Sequence, residues 1–212
     1  MIEAANSRSV TWKGPDRARV ARDWWRRLQP RRSDSTGVPG AGGDRGDPAA
    51  LARLRRASTV AQAMAEEATL DLFRRLGLTR ADADTARLPR VAVIAMVLAH
   101  VRDDREHDGE RRRSAIQAVG RRTLEDTDSA KMSPLRFRRL LACRDDDDED
   151  LAREMRRLVQ LAGCAVNVGD LAESLFYWNE RTRNRWAFDY FGAGFAAPDH
   201  ELQAPKTMTD AD

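Results

Sequence analysis

Lysine is almost missing from this chain of 212 residues. Of its 37 basic residues only Lys13, Lys131 and Lys206 are lysines, and the rest are arginines. Histidine is nearly as scarce. His100 ends an apolar stretch, where a helix-end or core role is the plain one, and His107 and His200 lie in charged or polar sequence. Three such residues do not assemble a general acid or base. No GxSxG, P-loop, HExxH or GxGxxG spacing is present either, so the chain carries no recognisable catalytic motif. The two cysteines, Cys143 and Cys164, have no CxxC spacing and no histidine close in sequence. They read as buried thiols of a reducing compartment, which excludes a disulfide framework and makes zinc an unexpected ligand. Long apolar runs are absent as well. The longest, RVAVIAMVLAHV from Arg90 to Val101, is far short of the ~20 residues a membrane span needs, and MIEAANSRSV lacks the apolar core of a signal peptide. A cytoplasmic protein is expected, with no metal, cofactor, membrane or small-molecule substrate. No run alternates with period two and no internal repeat appears.

What remains is arginine and helix. Arginine's planar fork matches phosphate oxygens two at a time, so its dominance leans toward nucleic acid or a phosphorylated partner. A GC-rich coding sequence would also yield an arginine- and alanine-rich chain with no ligand at all. The distribution says more than the formal net charge of +3: residues 1–56 carry +7 and residues 90–144 carry +5, while 145–191 carry −5 and 192–212 carry −3. Segregated charge is what an electrostatic footprint needs.

The apolar positions recur at helical spacing. Val20, Trp24 and Leu28 mark a first helix; Asp47 followed by Pro48 reads as the cap and first turn of a second. Met64, Ala68, Leu72 and Leu76 share one face and stop at Gly77. Val91 to Val101 is apolar all round and is expected at the centre. A short helix is expected around Ala115 to Leu124. Ser133 and Pro134 start a helix bearing Leu135, Phe137, Leu140 and Leu141, and the carboxylates of Asp145 to Asp150 complement the positive end of the next. A last helix is expected from near Asp170 to Gly192. The chain therefore reads as all-α, a compact helical bundle in two small halves: 12–107, with a flexible loop at 29–47, and 113–192, followed by a disordered tail at 193–212. The charged run Arg102 to Arg113 marks a surface loop or the boundary between the halves.

Two arginine rows stand out. Arg136, Arg139 and Arg144 fall roughly along one side of their helix, and Arg153, Arg156 and Arg157 are spaced three and four apart on the next. Rows of this kind can track a line of phosphates without reading bases. Pairing with Asp145 to Asp150 and Glu154 would instead leave surface ion pairs worth ~0–1 kcal/mol each. The aromatics Phe176, Tyr177, Trp178, Trp186, Phe188, Tyr190 and Phe191 are too dense for most to be exposed, so they read as core rather than as a base-stacking platform.

Taken in order, the motifs WWRxL from Trp24, ALARLRRA from Ala50, VAVIAMVLAHVR from Val91, LRFRRLL from Leu135, MRRLVxLAG from Met155 and WNERTRNRWAFDYF from Trp178 resemble the CasB family. That family is the small subunit of the type I-E CRISPR surveillance complex, Cascade, and the resemblance spans Trp24 to Gly192 apart from the Gly/Pro-rich stretch. It implies a non-catalytic all-helical subunit, present as two copies among other Cascade subunits. It also implies backbone contacts to crRNA and target DNA that hold the opened R-loop, displaced strand included, while base pairing reads sequence. By matching motifs, the implied nucleic-acid contacts are Arg55, Arg56, Arg102, Arg121, Arg136, Arg139, Arg144, Arg156 and Arg157. The loop at 29–47 and the acidic run after Arg144 depart from the family pattern. Two other readings fit the composition: a helix-turn-helix regulator with its recognition helix near Gly120, Arg121 and Arg122, and a structural adaptor whose arginines only decorate the surface.

Overall fold

A computed structural model describes residues 16–30, 46–83, 85–108 and 111–193. Most of the 29–47 loop, residues 12–15, His200 and the 194–212 tail lie outside the described residues. The chain is mostly helical, as its apolar spacing predicts. In order come α1 (Arg17–Leu28), α2 (Pro48–Arg56), α3 (Val60–Met64), α4 (Glu67–Arg75), α5 (Arg80–Ala83) and α6 (Arg87–Leu98). A 3-10 turn (Ala115–Ala118) precedes α7 (Pro134–Leu141), α8 (Asp148–Leu161), α9 (Val168–Phe176) and α10 (Glu180–Phe191).

Caps set many of these boundaries. Asp47 and Ser133 each accept a backbone N–H from three residues on, and a proline follows each at the first helical position. Asp147 caps α8 and puts Asp148, Glu149 and Asp150 in its first turn, where negative charge suits the helix dipole. Gly77 and Gly192 end α4 and α10 at φ of 73° and 67°. The left-handed region is cheap for glycine alone, which is why the chain turns there.

α6 is the axle. Every residue from Val91 to Ala99 is buried, and α2, α3, α4, α8 and α9 all pack around it. α1 lies along α9 and sinks two indoles, Trp24 donating to the carbonyl of Ala68 at 3.0 Å and Trp25 to that of Val101 at 3.3 Å. The α1–α9 crossing is close because residue 169 is glycine: a Cβ there would stand 2.9 Å from Arg22 Nη2 and 3.2 Å from the Ala18 carbonyl oxygen. Arg22 itself is buried, with Nε 2.8 Å from Asp104 Oδ2, Nη1 2.7 Å from Glu106 Oε1 and Nη2 donating to Asn167 Oδ1 at 2.9 Å.

Four differences from the periodicity are local. The expected helix from Asp170 to Gly192 is two, broken at Tyr177–Asn179, because Asn179 caps α10 through Thr182 N while Thr182 Oγ1 ties back to the Tyr177 carbonyl. The stripe from Met64 to Leu76 is also interrupted, where Glu66 leaves helical conformation (ψ 132°) and its carboxylate meets Arg53 at 2.8 Å. The helix expected around Ala115 to Leu124 shrinks to the 3-10 turn. The charged run after α6 forms two-residue strands: β1 (Asp103–Asp104) pairs in parallel with β4 (Ala165–Val166), and β2 (His107–Asp108) in antiparallel with β3 (Arg111–Arg112). Two-residue pairings leave no room for a period-two pattern.

Candidate nucleic-acid interface

α7 and α8 form a hairpin whose outer side carries arginine because its inner side must carry the core. Phe137 and Leu140 of α7 and Leu151, Met155, Leu158 and Val159 of α8 are buried, and Phe137 stacks on Tyr190 with ring centroids 3.9 Å apart. The turn between the helices is clamped. Trp178 and Arg183 both donate to the Cys143 carbonyl at 3.1 Å, Arg183 also reaches Asp145 at 2.6 Å, and the Cys143 thiol donates to Asp150 at 3.2 Å. Burial, reinforced by Asp150, pushes that thiol up to about 12, so it stays protonated and packs as a small apolar group.

This fixed hairpin leaves a surface groove of about 580 Å³ lined by Met132, Arg136, Arg139, Glu154, Arg157 and Gln160, with Leu161 beside them. Arg136 and Arg139 come from α7; Arg157 faces them from α8. Among the described residues no carboxylate lies within ion-pairing distance of Arg136 or Arg139. Among the described residues Glu154 is the groove's one carboxylate, 2.5 Å from Arg157 and mostly covered. Three guanidinium groups against one carboxylate, itself paired with Arg157, over a floor of methionine and leucine, suit a polyanion.

A second group gathers where α6 ends. Arg55 Nε donates to the Ala99 carbonyl at 2.5 Å, one of the carbonyls left unpaired at the helix C-terminus. Arg156 Nη1 donates to the Ala57 carbonyl at 3.2 Å, and its Nη2 lies 3.7 Å from Met96 Sδ. Both are held by neutral acceptors, and among the described residues neither is in ion-pair contact with a carboxylate, although the charge of Glu149 acts on Arg156. Burial lowers the pKa of His100 and of Arg156; for His100 the charges of Arg156 and Arg55 add to the effect. Arg156 is half-buried and ties α8 to the end of α2, whereas Arg157, its neighbour, is exposed.

The other sequence-derived positions divide. Arg56 and Arg102 are exposed and have no ion-pair partner among the described residues. Arg121 is half-buried, 5.2 Å over the Phe191 ring, with a guanidinium contact of 3.5 Å to the Leu124 carbonyl. Arg144 pairs with Asp146 at 2.8 Å, both exposed. Of the nine arginines the structure thus brings Arg136, Arg139 and Arg157 into one groove and Arg55 and Arg156 around His100, and it places Arg121 and Arg144 in neither. Sequence reasoning missed Gln160 and Met132 of the groove. Gln160 lies three positions after Arg157, a helical spacing that would have found it.

Among the described residues no three His, Cys, Asp or Glu side chains gather to hold a metal, and no helix is long and apolar enough to cross a membrane. Fold and surface together define an all-α protein that displays arginine in a groove poor in carboxylate between α7 and α8. Residues 50–191 match the family model of CRISPR-associated protein Cse2, also known as CasB, and the chain belongs to that family, the small subunits of the CRISPR Cascade complex. No curated protein and no solved structure shows a significant match. α1, which lies before the matched residues, is nonetheless part of the same core through Trp24 and Trp25.

Proposed function

We propose that this Cascade subunit is non-catalytic and grips nucleic-acid backbone through the α7–α8 groove, holding crRNA and target DNA and stabilising the R-loop with its displaced strand. The observation that carries the reading is the convergence of Arg136, Arg139 and Arg157 on one groove in which, among the described residues, Glu154 is the only carboxylate. Contacts of this type read charge and spacing, so sequence selection is left to the guide. The carbonyl-held charges of Arg55 and Arg156, with exposed Arg56 and Arg102, extend the same chemistry beyond the groove. A second copy of the chain and the other Cascade subunits complete the surface. The reading includes no cofactor and places the subunit in the cytoplasm with the rest of Cascade.

The test is the salt dependence of binding. Each phosphate neutralised on a single strand contributes about 0.7 to the slope of log K against log salt, so an Arg136→Gln/Arg139→Gln double variant is expected to lower that slope by about 1.4. The same variant, built into Cascade, releases target DNA faster. A slope and a retention time equal to wild type would overturn the assignment of the groove.

A further inference from the structure

Of the seven clustered aromatics Trp178, Trp186 and Tyr190 are at most 3% exposed, Phe176 and Phe191 pack partly buried against the core, and Phe188 and Tyr177 are exposed. Of the two exposed rings, Tyr177 has arginine and a second ring against it. It sits in the break between α9 and α10 with 42% of its surface exposed, and its ring packs edge-on against Phe176, centroids 5.0 Å apart and planes at 73°. Arginines surround the pair. The Arg17 guanidinium lies 4.6 Å from the Phe176 centroid and 5.3 Å from that of Tyr177, and it donates to the Tyr177 hydroxyl. Arg87 approaches Phe176 from elsewhere at 6.0 Å. Beside them opens a cavity of about 520 Å³ that Arg87, Arg90, Phe176, Tyr177, Trp178 and Asn179 help to line.

Among the described residues no carboxylate lines this cavity. Asp82 meets Arg87 at 3.6 Å and Asp148 meets Arg90 at 2.8 Å, both from outside it. Arg17, among the described residues, pairs with no carboxylate. A guanidinium laid on an aromatic ring keeps its outer face for stacking and its N–H edge for an oxygen anion. Exposed aromatic surface beside such groups is how proteins hold unpaired bases, because every base offers a π-face. An acidic peptide would use the guanidinium groups but would have no need of the exposed ring.

From these contacts we propose that the cavity beside Tyr177 is a nucleobase site, which takes one unstacked base of a single strand on the Tyr177–Phe176–Arg17 surface and its phosphate on Arg87. Its volume falls in the range of small-ligand pockets, and no residue of it belongs to the α7–α8 groove. The inference rests on the reading above that the chain binds nucleic acid, and it adds a contact to bases where that reading has only backbone.

The experiment uses the full chain and a single-stranded thymidine oligonucleotide carrying 5-iodouracil. Binding is followed by fluorescence anisotropy, and photo-crosslinked peptides are identified by mass spectrometry. Crosslinks are expected in the peptide between Arg157 and Arg181, at or beside Tyr177. Tyr177→Leu is expected to abolish them and to weaken binding at least about fivefold, the lower end of what one stacked base contributes, whereas Tyr177→Phe retains both. Arg136→Gln/Arg139→Gln weakens binding without moving the crosslink. Tight binding with crosslinks elsewhere, or a Tyr177→Leu variant that behaves as wild type, overturns the base site and leaves the groove standing. Failure of the wild-type chain to bind the oligonucleotide overturns it too, as does Tyr177-dependent binding of hexaglutamate in its place.

Discussion

Replacing Arg22 with methionine is expected to cost about 3 kcal/mol of stability. Its side chain is 8% exposed and meets three acceptors on two other parts of the fold: Asp104, Glu106 and Asn167. Methionine fills most of the volume but supplies no donor. Glu106, at 31% exposure, can turn to water; Asp104, at 9%, cannot. Breaking a buried pair from one side typically costs about 3–5 kcal/mol, because the remaining charge is stranded. The lower end applies, since Asp104 still accepts from Val168 N at 3.1 Å and still has Arg26 at 3.4 Å. For a denaturation slope of about 2 kcal/mol per molar urea, the midpoint should fall by about 1.5 M. Asp104→Asn added to Arg22→Met should recover part of the loss by removing the stranded charge. A single variant within about 1 kcal/mol of wild type, or a double variant no better than the single, would refute the claim that this network fastens α1 to α9; about 1 kcal/mol is the typical worth of an ordinary hydrogen bond.

Glu154→Gln should free Arg157, raising the affinity for a single-stranded oligonucleotide and steepening its salt slope by about 0.7; an unchanged or weaker affinity in a titration would count against the groove's charge balance. Burial and the nearby Arg156 and Arg55 hold His100 below its usual range, so the unfolded chain takes up this proton first as pH falls. Its contribution to stability is therefore complete above about pH 6.5 and is lost below it, toward the lower folded value. His100→Gln should flatten the fall in melting temperature between pH 7.5 and 5.5, and a curve parallel to wild type would contradict the assignment.

Chain-local signals carried the helical reading far. Cap residues followed by proline, as at Asp47 and Ser133, and glycine stops, as at Gly77, act within one turn of helix and so are written in adjacent letters. The axle helix was equally plain, because only a helix surrounded on all sides can afford nine consecutive buried residues from Val91 to Ala99. The breaks at Glu66 and at Tyr177–Asn179 were not plain, since the apolar stripe runs on through both and side-chain hydrogen bonds decide the matter. For the interface the limit is distance along the chain. Arg136 and Arg139 share a face because they are three apart, so their partnership is visible in sequence. Whether an arginine is spent on the protein itself depends on acceptors far away: Arg55 on the carbonyl of Ala99, Arg156 on that of Ala57. Arg156 and Arg157 are neighbours with the same side chain, yet one staples α8 to the end of α2 and the other faces the groove. A helix turns about 100° per residue, so adjacent arginines must face different surroundings, and a motif of paired arginines marks an interface without saying which member belongs to it.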